Sequence, residues 1–258
     1  FDTSSVTNMQ EMFYNCMSLT TLDLSNFNTS SVTTMADMFY NCMGLTALNV
    51  SSFDTSSVTN MQQMFRNCIR LTTLDLSNFN TPSVTNMAVM FYSCWKLTTL
   101  DLSNFNTSSA TKMHYMFGSC SSLTALNVSS FDTSSVYNMQ EMFSWCANLT
   151  NLDIKHFNVS SVTIGTNFLS GSNNALTPTQ YDELLEAWAV QDVQPNVAWH
   201  FGDAQYTAEA IANWSGPRGV SSLSIINNKL VSIADSTATF GAAQQIDNLI
   251  VGNAYKIA

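Results

Sequence analysis

Charge is scarce in these 258 residues. Only 10% are Asp, Glu, Lys or Arg, against roughly 25% in soluble domains, and Ser, Thr and Asn take their place. A surface solvated by hydroxyls and amides is common in exported adhesins and repeat proteins and rarer in cytosolic enzymes. Basic residues are the scarcest: eight, scattered as Arg66, Arg70, Lys96, Lys112, Lys155, Arg218, Lys229 and Lys256 in a chain of net charge −10. No basic stripe exists to neutralise phosphates, which argues against nucleic-acid binding, and an anionic membrane surface would repel the chain. No apolar run approaches the roughly 18 residues of a membrane helix, so no membrane insertion is expected of this segment.

Catalytic signatures are also missing. There is no C-x-x-C pair for zinc and no Gly-rich phosphate loop. His114, His156 and His200 share no carboxylate spacing, and Asp182 and Glu183 are adjacent on a predicted helix, where neighbours do not face one another. The expectation is a protein with no catalytic residues, no cofactor and no metal. The chain opens on Phe1 in mid-pattern, without an initiator Met or signal peptide, and stops in what reads as a strand in progress. Both ends read as cut, so a piece of a longer chain is expected.

What is present is a 26-residue period. Phe recurs at 1, 27, 53, 79, 105, 131 and 157, and Cys at 16, 42, 68, 94, 120 and 146. Met pairs keep the same step, from Met9/Met12 to Met139/Met142. One unit reads LTTLDLSNFNTSSVTTMADMFYNCMG. Leu19, Leu22, Leu24 and Phe27 fit L-x-x-L-x-L, a short strand with alternate residues inward. NTSSV turns the chain, because Asn, Thr and Ser bond their own backbone. Val32 and Met35 point in again, from a second short strand, and Met38, Phe39 and Cys42 have spacing suited to a helical turn. One coil alone cannot bury enough to fold, so stacked neighbours must share burial and hydrogen bonds. The expected fold class is an α/β solenoid: right-handed leucine-rich-repeat-like coils with short parallel strands, a helical C-terminal cap, then a small β segment.

The units FDTSSVTNMQEMFYNCMSLTTLDLSN and FDTSSVTNMQQMFRNCIRLTTLDLSN resemble the BspA-like leucine-rich-repeat surface proteins. The segment ALTPTQYDELLEAWAVQDVQPNVAWHFGDAQYTAEAIANW resembles the one that closes such arrays in bacterial members. The resemblance covers about residues 1–215. It implies a bacterial surface or secreted protein, often an adhesin for host or neighbouring-cell macromolecules, and supplies no catalytic residues.

Three regions are expected. Residues 1–170 hold six repeats and a degenerate seventh, in which Phe168 and Leu169 replace Met and Phe. Residues 171–218 form a cap. Thr177, Pro178 and Gln180 make a capping-box helix start, and Tyr181, Leu184, Leu185 and Trp188 share one apolar face. NVAWHF reads as a strand, TAEAIANW as a second helix from Thr207, and SGPRG as a breaker. Residues 219–258 alternate as strands of a small β domain, with INNK as a hairpin turn.

Three sets of columns are candidate sites. The six Cys invite a disulfide or metal reading, but equivalent side chains point in parallel, and a reduced, buried column accounts for them better. On the concave strand face, Thr21, Thr73 and Thr99 flank a column of Asp23, Asn49, Asp75, Asp101, Asn127 and Asp153. These residues read either as a polar groove for a glycan, peptide or cation, or as a hydrated column kept for solubility and register; stacked carboxylates repel unless screened or liganded. Around the turn, one column reads Tyr14, Tyr40, Arg66, Tyr92, Gly118, Ser144 and a second Met17, Met43, Ile69, Trp95, Ser121, Ala147. Of these, Tyr14, Tyr40, Tyr92 and Trp95 read as an exposed apolar stripe for a partner, or else the second column is half-buried between coils. Ser31/Thr33 and their equivalents also suggest a hydroxyl array for ice, although turns explain them equally well. The expected function is non-enzymatic adhesion at a surface to an extracellular protein or glycan. A phage or appendage fibre component is the alternative, and so is a filament subunit that self-associates through its ends or the apolar stripe.

Overall fold

The computed structural model describes residues 2–194, 196–205, 207, 222–226, 229–233 and 248–254. Each 26-residue unit lies beside the next, so that equivalent positions become neighbours. Parallel bridges run in one unbroken series from Asn8 through Thr34, Asn60, Asn86, Lys112 and Asn138 to Ile164.

Few of these contacts amount to strands. Only β1 (Ala47–Leu48) and β2 (Thr73–Leu74) qualify among the repeats, paired in parallel with Ala47 opposite Thr73. The pattern predicts a strand in every coil, and the next residue explains the difference. Asn49 and Asp75 fold back to accept the N–H of Ser51 and Ser77 at 3.0 and 2.9 Å. That Asx turn takes the backbone away after one or two rungs. Elsewhere a single rung persists, such as Thr124 N–H to Thr98 O at 3.2 Å.

The predicted helical turn also takes another form. Asp37 and Asn41 are left-handed, with φ of 58° and 57°, and the pair recurs as Gln63/Asn67, Val89/Ser93, Tyr115/Ser119 and Glu141/Trp145. Amide directions therefore alternate. Tyr40 and Cys42 donate back three residues to Asp37 and Phe39, both at 3.1 Å. Asp37, Phe39 and Asn41 donate into the next coil, to Gln62, Met64 and Arg66 at 2.8, 2.9 and 2.9 Å. An α-helix would keep all of these bonds within itself; here half of them hold the neighbouring coil. The result is a repeat domain with few strands and, among the described residues, one helix.

The inward positions are those the pattern names. Leu45, Leu48, Val50, Phe53, Val58, Met61, Met64, Phe65 and Cys68 are all buried. Phe13, Phe39, Phe65, Phe91, Phe117 and Phe143 stack in one column with ring centroids 5.4–5.7 Å apart. Among them lies a polar column. Thr29, Thr55, Thr81, Thr107 and Thr133 are at most 1% exposed. Thr29 Oγ1 donates to Asp54 O at 2.9 Å and accepts Asp54 N–H at 2.7 Å; Thr55 does the same with Asn80. A buried hydroxyl is tolerated because both of its roles are filled.

The cap ends both columns with its own side chains. Thr177 caps helix α1 (Pro178–Ala189) through a full capping box with Gln180, and Tyr181, Leu184, Leu185 and Trp188 are buried. Their core includes Leu149, Leu152 and Ile154 of the last coil and Trp199 and Phe201. Val159 stands where the Thr column would continue. There Gln191 bonds the backbone from the cap: its Oε1 accepts Val159 N–H at 2.7 Å and its Nε2 donates to Phe157 O at 2.9 Å. Gly165 is a site of close approach, since a Cβ there would sit 2.8 Å from the Trp199 ring. Lys155 and Glu183 form a surface ion pair at 2.7 Å.

Strand β3 (Val197–Trp199) joins β4 (Ser222–Ile226), β5 (Lys229–Ile233) and β6 (Asn248–Ala254) in a sheet of order β3-β6-β5-β4. β4 and β5 are antiparallel with Ile226 opposite Lys229. The turn residues between them, the second helix expected from Thr207 and the SGPRG breaker lie outside the described residues.

Val89 is the β-branched member of the left-handed column, at φ 63°, a conformation that costs such residues about 1–2 kcal/mol and suits Asn far better. Val89→Asn is expected to stabilise the protein by about 1 kcal/mol, raising Tm by roughly 2–4 °C. A fall in Tm in thermal melts would contradict the backbone described here.

Candidate functional site

Every member of the predicted strand-face column is solvent-exposed, from Thr21 and Asp23 to Asp153. Asn49, Thr73, Asp75, Thr99 and Asp101 come together, with Ala47, Leu48, Ser51 and Leu74, around a shallow groove of about 540 Å³. Thr21, Asp23, Asn127 and Asp153 lie outside its lining. The acids and amides have a local task as well: Asp23, Asn49, Asp75, Asp101 and Asn127 each accept a Ser N–H two residues on at 2.9–3.0 Å. Those backbone N–H donors, together with the Ser side chains, hold the Asp23, Asp75 and Asp101 carboxyls below their usual range. Repulsion between Asp75 and Asp101 opposes this at Asp101 and is the smallest contribution. The groove therefore sets two carboxylates and one amide beside two Thr hydroxyls, suited to ligands that donate hydrogen bonds and hostile to anions.

The turn column is an ordered stack. Tyr14 and Tyr40 lie face to face at 4.6 Å. The Arg66 guanidinium sits over both Tyr40 and Tyr92, 5.2 and 5.4 Å from the ring centroids. Tyr92 leans across Gly118, where a Cβ would come within 2.9 Å of the ring, and meets Tyr115 edge-on at 5.8 Å. Tyr14 is 41% exposed and Trp95 49%, whereas Tyr40 and Tyr92 are half-buried against their neighbours. The stripe is thus neither wholly exposed nor wholly packed away.

All six Cys are free thiols, and every one but Cys16 is buried. Each buried thiol donates to a Phe carbonyl of the preceding coil, as in Cys68 Sγ to Phe39 O at 3.3 Å and Cys94 Sγ to Phe65 O at 3.2 Å. That carbonyl also accepts the Cys N–H of its own coil, as Phe65 O does from Cys68 at 3.2 Å, so both its lone pairs are used. Burial pushes the Cys42 and Cys146 thiols up to about 12 and raises Cys68, Cys94 and Cys120 as well. At the last rung Ser172 stands in the Cys position, donating to Phe143 O at 2.6 Å and accepting Cys146 N–H at 2.8 Å.

Reading the sequence for sites missed the buried Thr column, although its 26-residue recurrence was visible; it set Arg66 in the tyrosine column but did not foresee its packing between two rings. The remaining candidates occupy separate local contacts. His156 Nε2 bonds Val128 O, His200 Nδ1 accepts Gly202 N–H, and Asp182 accepts the N–H and hydroxyl of Thr207. His114 lies edge-on to Tyr115, and burial lowers its pKa. Among the described residues no group of three or more His, Cys, Asp or Glu could hold a metal ion, and no helix is long and apolar enough to cross a membrane.

Side chains repeated at one fixed interval and bonded coil to coil define a tandem-repeat protein. A family model described as "Mycoplasma protein of unknown function, DUF285" matches residues 1–98 and 88–214, and the chain belongs to that repeat family. No curated protein and no solved structure matches it.

Two measurements check these columns. Thiol titration of the unfolded chain without reductant is expected to count six, and of the native protein at most one, Cys16; four or fewer after unfolding would contradict a reduced column. For the acids, a lowered folded pKa means stability that is present above the unfolded value near about 4 and lost as pH falls through the folded one. Tm should therefore hold down to about pH 5 and drop below about pH 4. The triple variant Asp23→Asn, Asp75→Asn, Asp101→Asn keeps the turns and should flatten that acid limb; an unchanged limb would show that these turns contribute nothing to it.

Proposed function

We propose that this chain is a non-enzymatic recognition protein of the BspA-like leucine-rich-repeat kind, a right-handed solenoid working at or outside a cell surface as an adhesin. Its ligand is an extended, uncharged glycan laid along the strand face. The observation that carries the reading is the groove of Asn49, Thr73, Asp75, Thr99 and Asp101, in which three successive coils each offer an acceptor oxygen, an amide and then two carboxylates, at one spacing. Sugar hydroxyls donate to ionised carboxylates and both donate to and accept from Thr hydroxyls. Weak contacts repeated coil by coil add up, because linked contacts raise avidity by roughly 10²–10⁴ when geometry lets them engage together. The scatter of the His, Asp and Glu side chains over separate structural contacts supports a role without catalysis.

The test is a glycan and matrix-protein array followed by two sets of variants. Asp75→Ala with Asp101→Ala is expected to lower affinity for the captured glycan at least tenfold. Tyr40→Ser, Tyr92→Ser and Trp95→Ser should leave that affinity within about twofold. The reverse pattern would move recognition to the aromatic stripe, and no loss in either set would rule out the groove.

A further inference from the structure

The turn column carries one residue out of keeping with its surroundings. In a chain with 18 acids and eight bases, Arg66 is a cation placed among tyrosines. Among the described residues the one ion pair is Lys155–Glu183, so the Arg66 guanidinium has no carboxylate in bonding contact. Its Nη1 donates to Gln63 Oε1, its Nε is buried with no hydrogen-bond partner, and Tyr40 and Tyr92 hold its carbon between two rings. Asp37 feels the guanidinium charge, which lowers its pKa, but burial outweighs this and raises it, and no ion pair forms between the two. A guanidinium fixed between rings has already lost the rotamer freedom that an unrestrained Arg gives up on binding. Its fork matches a carboxylate in a bidentate fashion.

The rest of the column narrows the ligand. Tyr14, Tyr40, Arg66 and Tyr92 present phenol, phenol, guanidinium, phenol on successive coils, with half-exposed Trp95 in the same coil as Tyr92. One cation among three neutral groups suits one acidic unit in a neutral run and not a polyanion, which the net charge of −10 would repel. Spacing separates sugar from peptide. Coils recur about every 4.8 Å, while an extended peptide returns side chains to one face only about every 6.7 Å. The advance of one sugar residue lies close to the coil step.

We propose that Arg66, clamped between Tyr40 and Tyr92, is a carboxylate-binding site for a single uronic-acid unit within an otherwise neutral glycan, on a surface separate from the strand-face groove. The probe is glucuronosyl-xylotriose, compared by titration calorimetry with the same sugar whose carboxyl is reduced to an alcohol. Wild-type protein is expected to bind the acidic form at least tenfold tighter, and this comparison needs no variant to fold. Arg66→Lys keeps the charge but loses the fork, and should lose most of that preference with an unchanged Tm. Asp75→Ala with Asp101→Ala should leave the preference intact, so failure of the groove and failure of this site are told apart. Equal binding of the two sugars, no saturable binding of the acidic one, or Arg66→Lys matching wild type would overturn the proposal. So would equal or tighter binding of a hexapeptide with a single Glu, which would make the ligand a peptide.

Discussion

Everything in the repeat domain depends on where alternate backbone amides point. Two left-handed residues per coil, Asp37 and Asn41 in the second, stop the turn segment from closing on itself as a helix. Asp37, Phe39 and Asn41 then have nowhere to donate except the carbonyls of the next coil. Once those bonds form, equivalent side chains must stack, and the Phe, Cys and Thr columns follow. The conformation is unfavourable for most residues, at a cost of about 1–2 kcal/mol each, and it persists because the bonds it directs recur in every coil.

Stacking creates a buried polar problem that each column solves locally. A Phe carbonyl facing inward has two lone pairs, and one N–H satisfies only one of them. The thiol of the following coil supplies the second donor, as Cys94 does for Phe65, while remaining small and apolar enough for the core. Thr81 handles Asn106 in the same spirit, donating to its carbonyl and accepting its N–H. At the end of the array Ser172 reproduces the Cys bond to a Phe carbonyl, and Gln191 reaches from the cap to bond Phe157 O and Val159 N–H on the last unit. The cap thus imitates a coil in hydrogen bonding as well as covering apolar surface.

The period, the inward Leu, Met, Phe and Cys positions, and the capping box at Thr177 were all legible in the sequence because each rests on spacing alone. The strand count was not: Asn49 and Asp75 read as outward members of a strand, yet their side chains bend the backbone out of it. Nor was the left-handed pair. Asn41 hints at positive φ, but Val89, Tyr115 and Trp145 occupy equivalent positions and carry no such signal. Among the candidate sites, the exposure of the Asp75 and Asp101 column was readable from alternation. The pairing of Arg66 with two tyrosines was not, because one Arg in a Tyr column looks like a break in the pattern until the stack is built.

The way the array closes bears on how such chains change length. Each coil offers its successor much the same amides, hydroxyls and carbonyls that its predecessor offered it, and the cap meets the end of the array through Gln191, Ser172 and α1. Duplication or loss of a whole 26-residue unit therefore keeps the Phe, Cys and Thr columns in register, whereas an insertion of any other length misaligns all three columns at once. Recombination between near-identical units can lengthen or shorten the molecule, and with it the reach of its repeated surface, without the cap having to be rebuilt.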